Sequence, residues 1–287
     1  MSYSRRDLLQ WGAAATALWA FGTPAHAAER RRRRVARKVP IGLQLYSVRK
    51  DCEKDLPGVL QAVAKMGYQG VEFAGYYGRT GSELRKLLDS NGLRCCGTHI
   101  GLNMLLGDEL KKTVEFNQTL GNPYLIVSYM GEDRLGTIEK VQATAKLFTE
   151  LAEKLKADRM RVGYHAHGGD FKKLGDKTVW ELFFTHAGPG VLMQMDIGNA
   201  IGGGMTMDGV LEILRKFPGR SATIHLKEHG GKPGAPVGEG EVKWSEVFQV
   251  CETVGGTEWY IVEQESYAGA PLDSVKQCIE NLRKMGK

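Results

Sequence analysis

Side chains able to bind a metal ion or move a proton recur where short apolar runs of this sequence end. His165 and His167 close one such run, and Glu263 and Glu265 close another. Residues two apart point to the same side of a β-strand, so both members of each pair can face one site. Comparable positions end the other runs, namely Gln44, Tyr46, Glu72, His99, Asp196, His225 and Lys227.

Taken singly, each of these side chains has an ordinary structural explanation. A histidine at a strand end is often a satisfied hydrogen-bonding residue, Asp196 could cap a turn, and Glu72 could form an ion pair. The whole set is harder to explain, because burying many ionisable groups together is costly unless charges compensate them. A divalent ion held by imidazole and carboxylate ligands would supply that compensation.

The elements that would position these residues alternate between strand and helix. The predicted strands are 41–46, 70–74, 93–99, 124–128, 161–165, 191–196, 222–227 and 260–263. The predicted helices are 53–66, 82–90, 108–120, 137–157, 178–186, 208–217, 244–254 and 272–285. Eight such units favour a single (β/α)₈ TIM barrel, in which functional residues lie at the carboxyl ends of the strands. No GxGxxG follows the first strand, which disfavours a dinucleotide-binding sheet.

The positive charge of the chain is confined to a short segment. The formal net charge is +6, and residues 29–38 alone hold seven cations and one anion. Residues 1–28 add one further positive charge, so residues 39–287 carry a net charge of −1. Nucleic-acid binding needs clustered cations, and a nearly neutral body disfavours it.

The N-terminus has the pattern of an export signal. Residues 4–9 read Ser-Arg-Arg-Asp-Leu-Leu, an apolar stretch follows at 11–21, and Ala25-His26-Ala27 resembles a cleavage site. We therefore predict a twin-arginine signal peptide over 1–27, a basic flexible tail over 28–40 and the barrel over 41–287. The expected location is the periplasm, without a stable membrane anchor, because the apolar stretch is too short to span a bilayer comfortably.

The cysteines indicate neither a zinc ribbon nor a disulfide framework. The sequence has five, an odd number, and none of them has CxxC spacing. Buried, unpaired thiols are expected, with a Cys52–Cys278 bridge left open as an alternative.

From Ile41 onward the sequence resembles the sugar phosphate isomerase/epimerase superfamily, the xylose-isomerase-like barrels. The shared segments are Ile-Gly-Leu-Gln-Leu-Tyr-Ser-Val-Arg at 41–49, Gly-Tyr-Gln-Gly-Val-Glu at 67–72, Tyr-His-Ala-His at 164–167, Met-Asp-Ile-Gly-Asn at 195–199, His-Leu-Lys-Glu at 225–228, Gly-Glu-Gly at 238–240 and Val-Glu-Gln-Glu at 262–265. Within the superfamily it resembles the inosose dehydratases and 3-keto-glycoside lyases.

The resemblance implies a divalent metal ion, Mn²⁺, Zn²⁺ or Mg²⁺, and a set of residues that hold it. Asp196, His225 and Glu263 match the ligands of the sixth, seventh and eighth strands. His165 stands where the superfamily has an acid, and the nearby Asp170 is an alternative ligand. The resemblance further implies catalytic roles for His167, Glu263, Glu265 and Lys227, and substrate contacts for Gln44, Tyr46, Glu72 and His99.

The implied activity is isomerisation, epimerisation or elimination, by removal of a proton beside a carbonyl. Export favours a non-phosphorylated sugar or keto-glycoside as the substrate, and a homo-oligomer is possible. Two alternatives stay open. One is a phosphodiesterase of the endonuclease IV type, although Asn199 stands where a further histidine would be expected. The other is a barrel that binds sugar without catalysis.

Overall fold

Eight parallel strands form one sheet in a computed structural model that describes residues 38–287. The strands are β1 (Ile41–Gln44), β2 (Gly70–Ala74), β3 (Arg94–Ile100), β4 (Tyr124–Val127), β5 (Arg161–His165), β6 (Leu192–Gln194), β7 (Thr223–Leu226) and β8 (Trp259–Val262). The helices that follow them are α1 (Arg49–Met66), α2 (Gly81–Ser90), α3 (Glu109–Leu120), α4 (Ile138–Leu155), α5 (Val179–His186), α6 (Met207–Lys216), α7 (Trp244–Val250) and α8 (Pro271–Lys284).

The sheet closes on itself between β6 and β7. The strand order is β6-β5-β4-β3-β2-β1-β8-β7, so these two strands are its outer members. A parallel bridge pairs Asp196 with His225, and the His225 amide donates to the Met195 carbonyl at 2.8 Å. The prediction of a (β/α)₈ barrel is confirmed. The closure also brings two predicted ligands onto neighbouring strands.

Local sequence signals set the helix ends. Thr80 and Glu83 form a capping box at the start of α2, with the Thr80 amide donating to Glu83 at 2.8 Å. Gly67 ends α1 at φ +96°, a left-handed conformation that favours glycine. No helix within residues 38–287 has the length and apolar character needed to cross a bilayer.

The interior of the barrel has an apolar lower half and a polar upper half. The apolar half is filled by Cys96, Tyr124, Ile126, Leu192, Ala222, Trp259 and Ile261. Gln194 lies two residues after Leu192, and Glu263 lies two residues after Ile261. Both therefore face the same side as the apolar residues that precede them, and both are buried. The apolar layer therefore keeps water out of the barrel from below, and ionisable groups collect at the carboxyl ends of the strands.

Several strands end one or more residues earlier than predicted. Tyr46 lies in a 3₁₀ turn (Leu45–Val48), and Asp196, Lys227 and Glu263 follow the last residues of β6, β7 and β8. Such positions are where barrel loops begin, so side chains there face the barrel mouth. Helix α1 starts at Arg49, earlier than predicted, and α7 ends at Val250 before a π-helical turn (Cys251–Gly255).

The remaining predictions about chain organisation have mixed outcomes. The signal peptide and nearly all of the basic tail lie outside the described residues, and the compact unit that contains the barrel runs over Val39–Lys287. All five cysteines are buried and unpaired, as expected, so the alternative Cys52–Cys278 bridge is not formed.

Arg220 reinforces the closure of the sheet. Arg220 is 6% exposed, and burial lowers the pKa of its guanidinium to about 10. The guanidinium donates to four carbonyl oxygens at 2.9–3.2 Å, those of Phe184, Ala187, Gly188 and Val191. Because Arg220 lies just before β7, these bonds tie the segment that enters β7 to the end of α5 and the start of β6.

We expect Arg220→Met to lower the free energy of unfolding by about 3 kcal/mol, because buried carbonyls lose their donors. Arg220→Lys should lose less, since it keeps the charge and some of the bonds. Urea denaturation followed by circular dichroism measures both. Arg215→Met, on the exposed side of α6, is the control and should shift stability by about 0.5 kcal/mol or less. An unchanged urea midpoint for Arg220→Met would contradict the prediction.

Candidate metal centre

Four buried side chains from neighbouring strands converge at the mouth of the barrel. His165, Asp196, His225 and Glu263 each offer one ligand atom, and these atoms lie within 4.8 Å of one another. His225 Nδ1 is 2.7 Å from Glu263 Oε2 and 3.9 Å from Asp196 Oδ2, while His165 Nε2 is 3.7 Å from Glu263 Oε2. Two imidazole nitrogens and two carboxylates match the donor set of Zn²⁺ and similar ions.

Asp196 has one oxygen engaged and one free. Its Oδ1 accepts from the Asn199 amide at 2.7 Å, which caps the short helix Ile197–Gly202. Its Oδ2 is buried and has no hydrogen-bond partner. Burial raises the pKa of this carboxyl to about 8, against the lowering effect of Lys227. A buried oxygen without a partner, aimed among imidazoles and a second carboxylate, fits a cation ligand.

His225 lies between two glutamates. Its Nδ1 is 2.7 Å from Glu263 and its Nε2 is 2.6 Å from Glu72. Burial by itself lowers the pKa of His225, but the charges of Glu72 and Glu263 outweigh it and raise the pKa to about 10. A bound cation at Nδ1 would leave Nε2–H donating to Glu72, the carboxylate–histidine–metal arrangement common in metalloproteins.

Glu72 is the anion at the base of the site. It is fully buried, yet the neighbouring imidazoles of His99 and His225 hold its pKa well below the usual range in spite of burial. The Gln44 and Gln194 amides each donate to it at 2.8 Å. Gly97 makes room for it, because a Cβ there would lie 2.1 Å from Glu72 Oε1.

Gln194 fixes the orientation of His165. The Gln194 amide nitrogen donates to Glu72 at 2.8 Å and to Thr223 Oγ1 at 3.0 Å, so its Oε1 must act as an acceptor. His165 Nδ1, 3.1 Å from that oxygen, therefore carries the proton. Its Nε2 lone pair then points towards Glu263, and burial lowers the pKa of His165 well below the usual value.

His167 lies at the rim, beside the cluster. Its ring meets the ring of His165 edge-on, with centroids 4.8 Å apart, and its Nδ1 has no hydrogen-bond partner. Burial lowers the pKa of His167, which favours a neutral imidazole at pH 7. Asp170 accepts from the His167 backbone amide at 2.8 Å and from the Tyr164 hydroxyl at 2.8 Å, and it thereby holds the turn that carries His167.

Lys227 and Glu265 form an ion pair on another side of the mouth. Burial lowers the pKa of Lys227, but the carboxylates of Asp196 and Glu263 raise it above the usual value overall. The lysine therefore presents a persistent cation to the cluster.

The structure separates the predicted substrate-binding residues into two groups. Gln44 and Glu72 are fully buried and bonded to each other, and they support the cluster from below. His99 and Tyr46 keep exposed surface: the His99 side chain is 10% exposed, and the Tyr46 ring lies under the Arg49 guanidinium at 4.2 Å.

The sequence predicts His165 as the fifth-strand ligand, with Asp170 as the alternative. His165, and not Asp170, joins Asp196, His225 and Glu263, because Asp170 is already engaged by Tyr164 and the His167 amide. Gln194 was missed altogether. A usable signal existed, since Gln194 precedes Asp196 by two residues and so faces the same side of β6.

Comparisons with known proteins agree with this architecture. The sequence pattern of the xylose isomerase-like TIM barrel family matches residues 60–285. An inosose dehydratase from Serratia proteamaculans is 24% identical over 247 residues, covering 71% of this chain and 82% of the relative.

Two solved structures share the fold. A sugar phosphate isomerase/epimerase from Parabacteroides distasonis superposes with a TM-score of 0.74 at 22% identity, over 85% of this chain and 93% of that one. The IOLI protein, solved with a zinc atom, gives a TM-score of 0.63 at 13% identity, over 86% and 96% of the two chains. The predicted family is confirmed.

Asp170 makes the stability of the turn that carries His167 depend on pH. Burial raises the pKa of Asp170 to about 6 from an ordinary 3.8. Because the folded state holds this proton more tightly than the unfolded state, the stabilisation is complete below about pH 4 and is lost as pH rises through 6.

The side chain introduced by Asp170→Asn does not titrate, so only the wild type loses stability as pH rises. We therefore expect the unfolding free energy of Asp170→Asn, relative to that of the wild type, to increase by up to ~3 kcal/mol between pH 4 and pH 7. Urea denaturation at several pH values measures the difference, with Asp176→Asn as an exposed control. A difference that stays constant over this range would disprove the assignment.

Proposed function

Because the chain belongs to the xylose isomerase-like TIM barrel family, we propose that it is a metal-dependent lyase acting on a non-phosphorylated keto-sugar, keto-cyclitol or keto-glycoside. It removes the proton beside the carbonyl and expels the oxygen substituent on the next carbon. The observation that carries the proposal is the convergence of four buried ligand atoms around an Asp196 oxygen that has no partner.

His165, Asp196, His225 and Glu263 would hold the metal ion. When bound, a divalent ion polarises a substrate carbonyl and stabilises the negative charge that develops on it. The zinc atom in the related IOLI structure supports such an ion in this fold.

His167 is the proposed base. A base must be unprotonated and within reach of the reacting carbon, and the lowered pKa of His167 meets the first requirement. The ring borders the cluster through its edge contact with His165.

Lys227 is the proposed acid for the leaving oxygen. Glu265 pairs with its ammonium group and so orients it, and the carboxylates of the cluster keep it protonated. In the complete reaction the C–H bond breaks towards His167, and its electron pair is delocalised into the carbonyl as an enolate. As this pair forms the carbon–carbon double bond, the C–O bond on the next carbon breaks, and its oxygen takes a proton from Lys227. The products are an unsaturated ketone and water or an alcohol.

Elimination is favoured over epimerisation by the identity of residue 165. Two-carboxylate epimerisation needs a second acid facing the substrate, and the fifth strand of this chain ends in His165. The name of the related inosose dehydratase also fits loss of water from a keto-cyclitol. We further propose, from the N-terminal sequence, that the protein acts after twin-arginine export to the periplasm.

Metal retention tests the proposed ligands. We expect Asp196→Ala and His225→Ala to purify without metal, because each removes one of four ligands from a buried set. His186→Ala, a histidine on the surface of α5, should keep the wild-type content. Elemental analysis of the purified proteins measures this, and full metal content in both ligand variants would refute the site.

Hydrogen exchange tests the proposed base. In D₂O with a keto-sugar, we expect His167→Asn to slow deuterium incorporation beside the carbonyl by about 10²–10⁴-fold, as measured by NMR. Lys227→Met should retain exchange but form little unsaturated product. Exchange at the wild-type rate in His167→Asn would exclude that residue as the base. Binding without exchange in the wild type would favour a non-catalytic barrel.

A further inference from the structure

Tyr129 is an aromatic residue with 70% of its surface exposed at the mouth of the barrel. It follows β4 by two residues and so lies at the carboxyl end of the strands, where barrel enzymes bind substrates. Its ring also lies beside that of His167, so an exposed aromatic surface borders the proposed base.

The backbone around Tyr129 is anchored. The Ser128 amide donates to the Ile100 carbonyl at 3.3 Å, and Met130 is buried. The following turn is tied to the loop after β5 by an ion pair of 2.8 Å between Glu132 and Lys172. Since that loop carries His167, the exposed ring and the proposed base are held by connected segments.

The ring of Tyr129 is open to a ligand. It meets the His167 ring edge-on, with centroids 6.1 Å apart at 84°. No cation or second aromatic ring within residues 38–287 stacks on its faces. Tyr46, also at the mouth, differs in this respect, because the Arg49 guanidinium lies over it at 4.2 Å.

We propose that Tyr129 forms a leaving-group subsite that stacks on a ring in the aglycone of a keto-glycoside. This inference rests on the proposed function and selects among its substrates. In a β-elimination the leaving oxygen is attached to the carbon next to the one that loses its proton. The leaving group therefore lies close to the base, and Tyr129 is the exposed ring beside His167.

The reaction at such a substrate is balanced without a further reagent. In a glycoside oxidised at C3, His167 takes the proton from C2, the bond from C1 to the aglycone oxygen breaks, and Lys227 protonates that oxygen. The aglycone leaves as an alcohol, and a double bond joins C1 and C2. A planar aglycone, or the apolar face of a second sugar ring, would rest on Tyr129.

Matched substrates and variants test the subsite. We would compare methyl and phenyl 3-keto-glucosides with the wild type, Tyr129→Ala and Tyr129→Phe, measuring KM, kcat and the release of alcohol. We expect Tyr129→Ala to raise KM for the phenyl substrate by about five- to tenfold with kcat nearly unchanged. KM for the methyl substrate should change less, and Tyr129→Phe should resemble the wild type, because the ring supplies the contact.

Val254→Ala is the control, since this valine is 39% exposed in the turn that precedes β8, at the opposite end of the barrel. The subsite is wrong if Tyr129→Ala changes KM equally for the phenyl and methyl substrates, or changes it for neither. Either result would leave the proposed elimination reaction standing. If the wild type releases no alcohol and exchanges no deuterium with either substrate, the proposed function itself is wrong.

Discussion

The arrangement of the site depends on one buried anion, Glu72. A carboxylate without exposed surface is stable only when charges and donors surround it. Glu72 has a histidine partner at 2.6 Å and two glutamine amides at 2.8 Å. The hydrogen bonds to Glu72 hold each of these partners in one orientation. The partners in turn orient the metal-ligand atoms above them.

This dependence extends to the other half of the cluster through Gln194. Because its amide nitrogen is committed to Glu72, its oxygen faces His165 and determines which nitrogen of that imidazole is protonated. One anion thus sets the orientation of His225 directly and that of His165 through an amide. The apolar layer below strengthens both effects, since electrostatic interactions are stronger where water is excluded.

The sequence predicted the barrel and the residues of the cluster, but it did not predict how deep in the barrel each side chain lies. Alternation of elements and two-residue spacing identified the barrel and its inward-facing side chains, because both follow from backbone geometry. Depth inside a barrel depends on how neighbouring strands are staggered, and a single strand does not encode this. Gln44 and Glu72 therefore looked like rim residues, although both lie beneath the cluster.

The ligand at the fifth strand illustrates a second limit. The sequence left Asp170 open as an alternative to His165, but a carboxylate already bonded to a backbone amide and a tyrosine is not free to turn. Such prior engagement is a property of the three-dimensional turn. Gln194 was overlooked for the converse reason, because an amide is not a typical metal ligand and its function arises only from its neighbours.

His165 and His167 show how position divides two chemically identical side chains. They share one strand direction, and both face the mouth, yet His165 is almost fully buried and bonded to Gln194, while the His167 ring is only partly buried. A ligand needs a fixed lone pair, and a base needs a lone pair free to meet a proton. The network under His165 supplies the first, and the turn held by Asp170 supplies the second. Exchanging the two roles would require moving Glu72, on which the orientation of the other buried side chains depends.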